Sequence, residues 1–185
     1  MQDAIDQLRF PAPWFEYWLL PVSFFEDQIQ KLHSGQDSFW LSPAHHRYEA
    51  FQTILFEQES FTDEQLEQYI ELCAIDEDQT MAKTALNNLL SCPSLTAEQY
   101  SHLTKHSAFA NYTAQNIIWQ NRMRAAMQES SISEAAFTEI LARKDSIIER
   151  ELANAPSLSR KQLEIIAAKG SDKPIRTIAK SRLGW

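Results

Sequence analysis

The chain has 185 residues, 44% of them apolar and 23% charged, and its 25 acidic against 17 basic side chains give a net charge of −8. That balance excludes a disordered polyelectrolyte, and the length suffices for one full domain with a sizeable core but not for two ordinary ones. Only three glycines occur (Gly35, Gly170 and Gly184), too few for the tight turns of a sandwich or barrel; Gly35 and Gly170 each fall where a helical pattern stops.

Taken in chain order, the opening Met1-Gln-Asp-Ala-Ile-Asp has neither the basic start nor the apolar core of a secretory leader. The most apolar stretch, residues 14–25, contains Glu16 and Pro21 and is too short to span a bilayer. Trp14, Trp18 and Trp40 lie among Phe10, Phe15, Tyr17, Phe24, Phe25 and Phe39, which reads as an aromatic cap over the end of a helical stack rather than an exposed cluster. Ser23 and Glu26 are spaced as a capping box opening a first helix.

From residue 60 onward the chain repeats itself. Ser91-Cys-Pro-Ser-Leu-Thr96 and Asn154-Ala-Pro-Ser-Leu-Ser159 are near copies, and each ends in a hydroxyl residue followed three positions later by Gln99 or Gln162. That spacing is a capping box, in which the hydroxyl accepts from a free backbone N–H and the glutamine reaches back to the cap's own N–H. Thr62 with Gln65 is a third copy, and Ser133 keeps the cap without the glutamine. Counting from each cap, apolar residues recur at the fourth and seventh positions: Leu66 and Tyr69, Tyr100 and Leu103, Phe137 and Ile140, Leu163 and Ile166. A second helix is predicted in each unit, over 43–56, 79–90, 112–127, 146–154 and 173–183, with Pro43 and Pro174 in first turns where the missing N–H costs nothing. No stretch alternates with period two. The fold class expected is all-α: four to five stacked helical hairpins forming an α-solenoid, one domain over 1–185, with 1–56 a divergent capping region and 57–185 the repeats.

Charge is distributed unevenly. Between Arg47 and Lys83 there is no Lys or Arg, while ten acids intervene. Glu64, Glu67 and Glu71 share one side of a predicted helix whose other side holds Leu66, Tyr69, Ile70 and Cys73, and the turn Asp76-Glu77-Asp78 follows. This is either a solvated face or a negative docking surface for a basic partner, with Asp63, Glu64, Glu67, Glu71, Asp76, Glu77 and Asp78 the binding residues. The turn lacks the glycine and closing glutamate of a calcium loop, and favours the next helix N-terminus instead.

Other constellations are weaker. His102 and His106, with Glu98 one turn before, have two-ligand spacing but no third ligand, and read as surface histidines. His45 and His46 are readable as lining a concave face beside Arg47. Cys73 and Cys92 lack metal-ligand spacing and read as buried reduced thiols, which fits a cytoplasmic protein. The later bases (Arg143, Lys144, Arg150, Arg160, Lys161, Lys169, Lys173, Arg176, Lys180 and Arg182) are interleaved with acids, against the basic footprint nucleic-acid binding needs. There is no phosphate loop, nucleophile elbow, kinase set or zincin motif, so no catalytic residue, cofactor or metal is expected.

The Pro-Ser-Leu-Thr/Ser cap, the apolar helix after it and the second helix with a small inward residue resemble HEAT-like repeats, and in tone the variant leucine-rich repeats of bacterial proteins. Residues 154–179 carry most of the likeness, with Arg176, and roughly Lys83, at a position these repeats often make basic. The resemblance implies a scaffold for binding and no chemistry. Small, acidic, helical bacterial proteins of this kind also look like immunity proteins of contact-dependent growth inhibition systems, which implies a basic toxin domain as partner. The competing expectations are a HEAT-like nucleic-acid-binding or DNA-repair protein, and a salt-dependent homo-oligomeric scaffold pairing acidic and basic halves.

Overall fold

The computed structural model describes residues 6–34 and 42–185 and is all-helical, with no strand among the described residues. Gly35, Phe39 and Trp40, part of the glycine and aromatic readings above, lie outside the described residues. The chain divides into two compact units, 1–115 and 116–185, and the division falls within the helix Tyr112–Gln128.

In the first unit α1 (Pro13–Glu16), α2 (Val22–Ser34) and α3 (Pro43–Glu57) are followed by α4 (Asp63–Ile75), α5 (Gln79–Leu89), α6 (Ala97–Leu103), a 3-10 turn (Ser107–Phe109) and the start of α7 (Tyr112–Gln128). Helix α5 packs on both α3 and α4. The core is mainly aliphatic with an aromatic chain through it: Phe10 meets Trp14 and Phe25 at centroid distances of 5.2 Å each, Trp14 meets Phe51 at 4.8 Å, and Phe51 meets Tyr69 at 5.3 Å, all edge to face. Of the N-terminal aromatics, Phe10, Trp14 and Phe25 are buried and Phe15, Tyr17 and Phe24 half-buried. Trp18 has φ +54° and is 70% exposed. Helix α2 begins at Val22 after Pro21, so Ser23 sits inside the first turn and the Ser23–Glu26 capping box is not formed.

The second unit holds the rest of α7, then α8 (Glu134–Arg143), α9 (Ser146–Asn154), α10 (Arg160–Lys169) and α11 (Lys173–Leu183). Helix α9 packs on α8 and α11, and α10 on α11. Its core runs through Trp119, Met123, Met127, Phe137, Ile140, Ile148, Leu152, Leu163, Ile166 and Ile175. Gly170 is required where α10 turns into α11, because a Cβ there would stand 2.9 Å from the Ile166 carbonyl oxygen and 3.0 Å from Ile175 Cγ2.

Capping follows the repeat. Thr62, Thr96 and Ser159 form complete capping boxes with Gln65, Gln99 and Gln162, and Ser133 accepts from the Ala136 amide. Every second helix from α5 onward starts on an Asx residue whose side chain accepts from the first turn: Asp78, Asn111, Asp145 and Asp172. The capping glutamines have a further task. Gln99 Nε2 donates to the Phe61 carbonyl at 2.8 Å, and Gln162 Nε2 to the Ile132 carbonyl at 3.3 Å. Phe61 and Ile132 each directly precede the cap of the preceding hairpin. Ser94 and Ser157, equivalent in the two Pro-Ser-Leu strings, donate to the Gln58 and Met127 carbonyls where the earlier second helix ends. One bond thus caps a helix while the next ties that helix to a carbonyl 30 or 38 residues earlier in the chain.

Candidate functional site

Helix α4 is set by its capping box and buries Leu66, Tyr69, Ile70, Leu72 and Cys73. The tyrosine hydroxyl is satisfied by donating to the Ala85 carbonyl at 3.1 Å. Burial of that stripe leaves Glu64, Glu67 and Glu71 exposed on the opposite side, with Asp63 exposed at the helix start. Among the described residues none of these four pairs with a Lys or Arg. Instead Glu67 lies 3.2 Å from His102 Nε2 and 3.7 Å from His106 Nε2. Asp63 accepts from Gln99 Nε2 at 3.2 Å. Glu71 accepts from the Tyr17 hydroxyl, a bond that pushes that phenol up to about 12.

Between α4 and α6 runs a cleft of about 280 Å³ lined by Asp63, Leu66, Glu67, Glu98, Gln99 and His102. Its walls therefore carry three carboxylates over an apolar floor. The polarity extends to the whole unit: residues 1–115 hold 17 acids against 5 bases, a net of −12, and residues 116–185 hold 8 against 12, a net of +4.

The other three expected binding residues have structural work. Asp76 is buried, and its carboxylate receives Arg47 Nε at 2.8 Å and Nη2 at 3.3 Å. Glu77 is 3.2 Å from Arg47 Nη2 and 3.5 Å from Arg9 Nη1. Asp78 accepts from the Thr80 and Met81 amides at the start of α5. Each carboxylate of the turn thus has a guanidinium or backbone-amide partner within the chain. Arg47, just before the base-free stretch, pairs with Asp76, 29 residues further on, and with Glu77.

His102 is exposed and His106 half-buried. Helix α6 ends at Leu103, so His106 is not one turn on from His102 in the same helix; its Nδ1 accepts from the Ala108 amide and caps the 3-10 turn. His46 and Arg47 are buried rather than lining a concave face, and His46 Nδ1 is 2.8 Å from Gln28. Among the described residues no group of three or more His, Cys, Asp or Glu has the geometry to hold a metal ion, and no helix is long and apolar enough to cross a membrane. Of the later bases, Arg176 donates to the Gly170 carbonyl, Arg182 to the Ala153 and Ala155 carbonyls, and Arg143 lies 4.1 Å over the Trp119 ring. Cys73 is buried with its thiol pushed up well above the ordinary range, first by burial and then by Asp76; Cys92 is half-buried, and neither forms a disulfide.

The contribution of Glu98 and the two histidines to the α4 face was overlooked in sequence. The repeat offset was the available signal: caps at Thr62 and Thr96 set Glu98 and His102 of one hairpin beside Asp63 and Glu67 of the previous one. Comparison with family models, with curated proteins and with solved structures gives no significant match.

Proposed function

We propose that this protein is a protein-binding module that docks a basic partner on the acidic face of α4 and the adjoining cleft, within units built as stacked HEAT-like hairpins. The observation that carries the reading is four exposed carboxylates, Asp63, Glu64, Glu67 and Glu71, on one helix without a Lys or Arg partner among the described residues. Like charges at these spacings each cost a few tenths of a kcal/mol, about 0.2–0.5 per pair. A surface that only needed to be wet would do as well with lysines interspersed. In a unit of net −12 the same carboxylates speed encounter with a positive partner and select against negative ones. An inhibitor of the immunity type, covering the basic cleft of a toxin domain, is the specific form of this reading.

The test is affinity capture from the source organism with wild-type protein and with Glu67→Lys/Glu71→Lys, each at low and high salt. A basic protein held by wild type at low salt, released as salt rises and bound by the variant at least about tenfold more slowly is the expected result. Equal retention by the variant, with an unchanged salt dependence, refutes the acidic face as the site.

A further inference from the structure

The second unit carries a groove of about 630 Å³ between α7 and α9, bordered by Arg124, Met127, Ile147, Arg150, Glu151 and Pro156 among others. Helix α9 buries Ile148, Glu149, Leu152 and Ala153. Ile147, one residue earlier, is left 58% exposed at the groove, an aliphatic side chain with little to cover it. The charges beside it are arranged unequally. Glu151 holds Arg124 in a two-pronged pair, Nε to Oε2 and Nη2 to Oε1 at 2.9 Å each, and Asn121 takes Nη1 at 3.4 Å. With Glu151 thus engaged, Arg150 is the uncompensated charge of the groove, since among the described residues its guanidinium makes no ion pair.

We propose that this groove docks a protein segment that sets a carboxylate beside an aliphatic side chain, the carboxylate on Arg150 and the aliphatic group on Ile147 and Met127. Charge complementarity selects this occupant: the lining sums to +1 in a unit of +4, opposite in sign to the α4 face. A nucleic-acid backbone is a poorer fit, because it needs successive uncompensated bases and the groove offers one. A carboxylate on a guanidinium gives a charge-assisted bond, and an apolar anchor in a concavity supplies the desolvated centre that short segments need. The inference is independent of the acidic-face reading.

The experiment titrates the full chain against a fluorescein-labelled positional-scanning hexapeptide library and reads anisotropy pool by pool. The expected result is enrichment of Asp or Glu next to Leu, Ile or Met. Affinity for those pools should fall at least about tenfold in Arg150→Glu and several-fold in Ile147→Ser, both exposed positions whose helicity is checked by circular dichroism. Glu67→Lys/Glu71→Lys should bind the pools like wild type. No enrichment, enrichment of basic pools, or binding that survives Arg150→Glu overturns the proposal.

Discussion

Removing Asp76 tests whether the acidic run has been divided correctly into structural and surface members. Arg47 and Asp76 are 1% and 3% exposed and joined by bonds of 2.8 and 3.3 Å, and Arg47 Nη1 adds 3.1 Å to the Leu8 carbonyl. Asp76→Asn removes the buried counter-charge and leaves the guanidinium with one amide oxygen at position 76, that carbonyl and the half-exposed Glu77 as acceptors. Breaking a buried pair from one side costs about 3–5 kcal/mol, most of it for the charge left uncompensated. Arg47→Met should cost a similar amount by stranding the carboxylate. The double variant Arg47→Met/Asp76→Asn should cost clearly less than the two added together, because no lone charge is then buried. It should not return fully to wild type, since Arg47→Met also removes the bond from Nη1 to the Leu8 carbonyl at 3.1 Å, worth about 1 kcal/mol. Urea denaturation at pH 7, followed by circular dichroism with m held as a control, measures each term. A single variant that costs under about 1 kcal/mol, or a double variant that costs the full sum, refutes the description of the pair as buried and mutually dependent.

Three other outcomes are expected. Gln99→Ala removes one side of a capping box together with the bond to Phe61, and should lower stability by about 1–2 kcal/mol in the same denaturation, whereas Gln65→Ala, with the box alone, should lower it less. Burial alone would raise the Asp145 carboxyl, but hydrogen bonds from Gln120 and from the Ile148 and Ile147 amides, with Arg143 nearby, outweigh it and hold it below its ordinary value of 3.8. A depressed carboxyl contributes stability above its unfolded pKa that is lost as pH falls through the folded one, so Asp145→Asn should destabilise at pH 7 and narrow the wild-type advantage as pH drops below about 4 in acid denaturation. Cys92 should react first with a thiol reagent in the native state and Cys73 only on unfolding, so that Cys92→Ser abolishes the early phase of the reaction.

Local rules made most of the fold readable. A hydroxyl-x-x-Gln cap fixes a helix start within one residue, and the predicted second helices 146–154 and 173–183 coincide with α9 and α11 at both ends. Proline in the first turn marked α3 and α11 for the same reason, since it acts within four residues. The Ser23–Glu26 pair failed because Pro21 had already started the helix one residue earlier. What could not be read was any partnership across tens of residues. The sequence shows Asp76 as one more acid in a base-free run; only the folded chain shows Arg47 turned onto it. The same holds for Gln99 and Gln162, whose capping role is local and whose bonds to Phe61 and Ile132 are not. Nor does the spacing of His102 and His106 reveal that the helix stops at Leu103, where the chain tightens into a 3-10 turn capped by His106.

The acidic segment therefore separates into two parts by what each carboxylate touches. Asp76, Glu77 and Asp78 are held by guanidinium groups or by backbone amides of the next helix. Asp63, Glu64, Glu67 and Glu71 have histidine, glutamine and tyrosine neighbours, none of which carries a fixed positive charge. Asp63 and Glu64, in the first turn, favour the helix N-terminus, but folding gains little from the sign of Glu67 and Glu71, and their repulsion opposes the helix that carries them. Substituting them should therefore leave stability near wild type or raise it while changing association, the reverse of what Asp76→Asn should do. That opposition makes one pair of experiments, denaturation and binding on the same two variants, decisive for whether the face on α4 exists to meet another molecule.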